Sequence, residues 1–128
     1  MSYHMSKKVD MSYEDALERV TEELKKEGFG IITEIDIKAV MKKKLDVDFR
    51  NYKILGACNP NYAYKALQAE DKIGTMLPCN VIVQQHNDGT VEISAIDPIE
   101  SMQAIENQDL GTIATEVQGK LRKAIENV

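Results

Sequence analysis

The chain has 128 residues, 43% of them hydrophobic and 29% charged, which suits one domain spanning 1–128 and excludes a disordered or fibrous chain. A net charge of −5 argues against nucleic-acid binding, since phosphate neutralisation needs a concentrated basic excess and Lys42-Lys43-Lys44 is the only basic cluster. No apolar run approaches the ~20 residues of a membrane span, and the N-terminus lacks an apolar stretch of signal-peptide length. With Cys58 and Cys79 as the only cysteines, the expected compartment is a reducing cytoplasm.

Taken in chain order, Tyr3, Met5 and Val9 leave room for an N-terminal strand. Ser12 suits a helix N-cap with Glu14 and Asp15 in the first turn, and Ala16, Leu17, Val20 and Leu24 share one face before Gly28 supplies a left-handed stop. Residues 29–35 read as a strand through Phe29, Ile31, Ile32 and Ile35. Asp36 caps a second helix with the stripe Ile37, Val40, Met41 and Leu45, and 46–51 is its polar exit. The Lys42-Lys43-Lys44 run reads as a solvated helix face.

Residues 52–58 form the next strand and run into Asn59-Pro60, a helix start in which Asn accepts from orphan amides and Pro has no N–H to lose. Ala63, Ala66 and Leu67 are its buried side, and 71–78 connect to a strand over 81–86. Asp88-Gly89 signals a two-residue hairpin loop, which sets His86 opposite Val91, Gln84 opposite Ile93, Ile82 opposite Ala95 and Asn80 opposite Asp97. Asp97-Pro98-Ile99-Glu100 starts a short helix to about 104. The last helix carries Leu110, Ile113, Val117, Leu121, Ala124 and Val128 at three- and four-residue steps. Gly111, Thr115 and Gly119 form a second stripe that fits either a dimer contact or packing onto the protein's own sheet.

This order predicts an α+β two-layer sandwich, a mixed sheet of about five strands covered by helices mainly on one face. The candidate ligand-binding residues are Cys58, Asn59, Cys79, Asn80 and Asp97. Cys58 is either a small apolar side chain closing a buried strand or a thiolate favoured by the helix that follows. If 71–78 carry the chain back, the flanking strands run antiparallel and Cys58, Cys79, Asn80 and Asp97 gather at one end. If not, the two thiols lie at opposite ends. Two cysteines with His86 make no metal signature, there is no Gly-rich phosphate loop, and no cofactor is predicted. Glu34 and Asp36 share a strand face, with nothing to gather them into a cleft.

The segments Gly28-Phe29-Gly30, Thr33-Glu34-Ile35-Asp36, Tyr52 through Pro60, Leu77 through Val81 and Asp97-Pro98 resemble the domain of unknown function 302 family, in matching order over nearly the whole chain. The resemblance implies a small α+β domain, usually standing alone in bacteria and archaea, that forms a homodimer. It implies no reaction and no catalytic residue. The expectation is therefore a cytoplasmic homodimeric binding module for a small molecule, anionic or thiol-reactive, near the two Cys-Asn pairs. An enzyme or redox protein using Cys58 as thiolate is the alternative.

Overall fold

The computed structural model describes residues 2–128. Its strands are β1 (His4–Val9), β2 (Gly30–Asp36), β3 (Tyr52–Cys58), β4 (Cys79–Gln85) and β5 (Val91–Ile96). The helices are α1 (Tyr13–Lys26), α2 (Ile37–Leu45), α3 (Pro60–Ala69), α4 (Pro98–Ser101) and α5 (Gln108–Glu126), with a 3-10 helix at Asp71–Met76. The strands form one sheet in the order β1-β5-β4-β3-β2. The fold is α+β, and all four strand pairings are antiparallel, so the expected mixed sheet is corrected. The reason lies after β3: α3 and the 3-10 helix form an excursion at one end of the sheet, and β4 starts beside the end of β3, with Cys79 opposite Ala57.

Strand alternation sends one set of side chains to the helical layer. Leu55 and Ala57, Val81 and Val83, and Val91, Ile93 and Ala95 pack there against Ala16, Val20 and Leu24 of α1 and Val117, Leu121, Ala124 and Ile125 of α5. Complete burial of a Leu or Ile side chain contributes about 1.5–3 kcal/mol each, so this aliphatic face is the main source of stability. A smaller cluster of Ala66, Ile73 and Leu110 holds the α3 excursion against α5.

The helix signals act as their chemistry requires. Ser12 Oγ accepts from the Asp15 amide at 3.0 Å, and Asp36 Oδ1 accepts from the Ala39 amide at 3.1 Å. α1 stops at Gly28, whose φ of +89° suits a residue without Cβ. Lys7 Nζ of β1 donates to the Glu126 and Val128 carbonyls at the end of α5, where a cation meets the negative pole of the helix.

Further sequence readings are revised or narrowed. The hairpin register shifts by one residue: Val81 faces Ala95, Val83 faces Ile93 and Gln85 faces Val91. His86 N–H donates to the Thr90 carbonyl at 2.8 Å, so the loop has three residues, closed by Gly89 at φ +90°. Core burial decides this, because directly opposed residues share a face; the expected pairing would set Val83 against Ser94 and take Ile93 off the core. The apolar stripe of α2 contains no buried residue. Finally, Gly111, Thr115 and Gly119 are solvent-facing, and nothing lies within 4 Å of a Cβ built at either glycine, so this stripe does not pack onto the sheet.

Candidate functional site

The α3 excursion leaves a cavity of about 350 Å³ between the end of the sheet and the helices. Ala57, Cys58 and Cys79 form its sheet side, Tyr62, Ala63 and Ala66 of α3 one wall, and Ile113, Ala114 and Val117 of α5 the other. Its size and apolar lining suit a small organic ligand, since such pockets commonly run to about 300–1,000 Å³ with few polar groups. Ile32 and Leu67 also line it while remaining 62% and 44% exposed, which places them at its open side.

The polar groups are few and individually placed. Asn59 does not cap α3 with its side chain; Nδ2 instead donates to the Glu27 carbonyl at 3.2 Å, tying the β3–α3 corner to the end of α1. The fit is close, since a Cβ at Gly28 would come within 2.9 Å of Asn59 Nδ2. Asn59 Oδ1 has no protein partner among the described residues, and the first-turn amides of Asn61 and Tyr62 receive no side-chain acceptor. Cys79 is pushed from 9.0 up to about 11, first by burial and then by the neighbouring Cys58, so it is a neutral thiol at ordinary pH. Tyr62 is likewise raised, by burial first and then by the nearby Glu116 carboxylate.

A family model for a domain of unknown function, DUF302, matches residues 5–128. The chain belongs to the DUF302 family. The crystal structure of an uncharacterized conserved DUF302 protein from Bacillus stearothermophilus is similar over 99% of this chain and 98% of that chain, with 28% identity and a TM-score of 0.92. No curated protein matches significantly.

In this DUF302 chain the antiparallel return brings the two cysteines together, and Cys58, Asn59 and Cys79 all line the cavity. Asn80 and Asp97 lie at the same end of the sheet but outside the cavity lining. Asn80 follows Cys79 on an alternating strand, is exposed, and belongs to the opposite face. With the observed register it is also not opposite Asp97. Asp97 is 8% exposed and already occupied, capping the Ile99 amide at 3.0 Å and accepting from Gln118 Nε2 at 3.0 and 2.9 Å.

Glu34, Asp36 and His86 have structural partners. Glu34 pairs with Lys53 at 2.7 Å, Asp36 caps α2, and His86 Nε2 meets Glu92 Oε1 at 2.9 Å. Among the described residues no three His, Cys, Asp or Glu side chains converge as a metal set, and no helix is long and apolar enough to cross a membrane. The cavity walls on α3, α4 and α5 were missed in the sequence, because Tyr62, Met102 and Val117 read as ordinary helix faces. The one available signal was the apolar run Tyr62-Ala63 and Ala66-Leu67 immediately after Asn59-Pro60.

Proposed function

We propose that this protein is a cytoplasmic, homodimeric binding module for a small, largely apolar molecule whose polar or anionic end meets Asn59 and the uncapped first turn of α3. The observation that carries the reading is the apolar cavity of about 350 Å³ with Cys58, Asn59 and Cys79 on its border. A helix whose first amides lack a side-chain acceptor favours a carboxylate or sulfonate. The two free cysteines agree with a reducing compartment. Dimerisation is supported by the apolar surface on β2, α2 and the segment after α2, where Ile32, Ile35, Val40, Leu45 and Val47 are all exposed.

The test uses 1-anilinonaphthalene-8-sulfonate, which joins an apolar ring system to one anionic group. The expected result is saturable fluorescence enhancement by the wild-type chain and at least tenfold weaker binding by Ala63→Phe, which places a ring in the cavity. Equal binding by a folded Ala63→Phe variant would refute the cavity as the site.

A further inference from the structure

The face of the sheet turned away from α1 and α5 carries no helix from the main core, and a second concavity of about 380 Å³ lies across it. The register explains its lining. Tyr52, Gln84 and Glu92 form one cross-strand row, and Ile82, Ser94 and Ser6 form the next. Arg50 stands at one end. Its guanidinium carbon lies 4.6 Å from the Phe49 ring centre and 5.4 Å from that of Tyr52, and its Nε donates to Gln84 Oε1 at 3.0 Å. Gln84 is only 9% exposed.

This arrangement holds the guanidinium in place before any ligand arrives. Nε is engaged, while both Nη groups remain for an end-on, bidentate contact. Among the described residues no carboxylate is in ion-pair contact with Arg50. Glu92, which lines the same concavity, is taken up by His86. Beyond Arg50 the floor is Ile82, and the far side is a hydrogen-bonded chain in which Ser94 Oγ meets Ser6 Oγ at 2.7 Å and Ser6 Oγ meets His4 Nδ1 at 2.7 Å.

We propose that this groove is a binding site for a small organic monocarboxylate, separate from the apolar cavity on the other face. A planar carboxylate matches the free edge of the guanidinium, and one positive charge with Glu92 nearby favours a monoanion over a phosphate dianion. The apolar body of the ligand lies over Ile82 and beside Tyr52, and a hydroxyl on it would reach Ser6 and Ser94.

The experiment is a titration of the full chain with benzoate, followed by amide chemical shifts in heteronuclear NMR, with neutral benzamide as the control. Saturable shifts at Ser6, Ile82 and Ser94, absent with benzamide, are expected. Arg50→Ala should weaken binding about tenfold or more, as loss of hydrogen bonds to a charged group predicts, and Arg50→Lys should weaken it less. The unchanged remainder of each spectrum reports that the variant is folded. Unaltered affinity in Arg50→Ala, shifts confined to Tyr62, Ala63 and Val117, or no saturable shift at all would each overturn the proposal. Shifts confined to the cavity residues would leave the cavity reading standing, so the two ideas fail separately.

Discussion

Gly56 shows how a single residue sets the geometry around the site. It lies in β3 opposite Asn80 of β4 and Thr33 of β2, where the β2 register shifts between Ile31 and Thr33. A Cβ at this position would collide with Thr33 Oγ1 and come within 2.8 Å of Pro78 Cγ, so the strand has room for glycine alone. Gly119, in contrast, lies in the exposed face of α5 with nothing near its Cβ direction. Gly56→Ala should therefore destabilise the protein by about 1–3 kcal/mol through overpacking. Gly119→Ala should stabilise it by about 0.5–1 kcal/mol through helix propensity. Urea denaturation of the two variants checks both signs, and a neutral Gly56→Ala would refute the packing argument. Asn59 makes the complementary point: its side chain cross-links two turns, and the α3 N-terminus stays uncapped as a result.

At the scale of elements, α2 and β2 are anomalous. β2 is an edge strand, and α2 is amphipathic in sequence yet buries no residue. Half of the ten exposed large hydrophobic residues, Ile32 through Val47, fall in this one stretch of the described chain, and Leu45 is 66% exposed. Lys42 meets Asp46 at 2.9 Å and Asp48 at 3.5 Å within the chain, so the charges beside the patch are already paired and a two-fold contact would bring apolar surface against its own copy. Light scattering should give twice the chain mass for the wild type and the monomer mass for Leu45→Glu. A dimer that survives Leu45→Glu but is dispersed by Gly119→Leu would move the contact to α5, and a monomeric wild type would dismiss the dimer altogether.

For the molecule as a whole, two weak acids, the buried Tyr13 and the partly buried Cys79, couple stability to alkaline pH. Cys79 is raised from 9.0 to about 11, and Tyr13 from 10.0 to about 12 by burial first and then by Asp36, Glu14 and Glu34. The folded state therefore holds these protons more tightly than the unfolded chain does. Their contribution is complete below about pH 9 and is lost as pH rises through the interval from about 9 to about 12. The urea midpoint should fall between about pH 8 and pH 10.5, and Cys79→Ala should flatten the early part of that fall. A midpoint independent of pH in this range would contradict the burial of both groups.

Much of the fold was legible before any coordinates. The caps at Ser12 and Asp36, the stop at Gly28 and the strand over 52–58 follow from local chemistry, in which a side chain satisfies or fails its own backbone within a few residues. The small-residue stripe and the α2 stripe were visible as patterns, but periodicity does not say which partner a face meets. The hairpin register was misjudged because Asp88-Gly89 alone favours a two-residue loop, while the core needs Val83 and Ile93 on one side. Of the candidate residues, Cys58, Asn59 and Cys79 were identified for their places beside strand ends and prolines, and they share the cavity. Asn80 and Asp97 were not separable from them, since strand alternation and the Gln118 contact depend on elements far away in sequence. The sequence by itself determined most of the elements, several of their caps and the family, because those rest on short-range hydrogen bonding and periodic burial. Only the tertiary structure decided that the chain turns back after α3, placing two thiols on one cavity and an arginine groove on the opposite face. That choice is made by long-range packing of Ala66, Ile73 and Leu110, which no local pattern encodes.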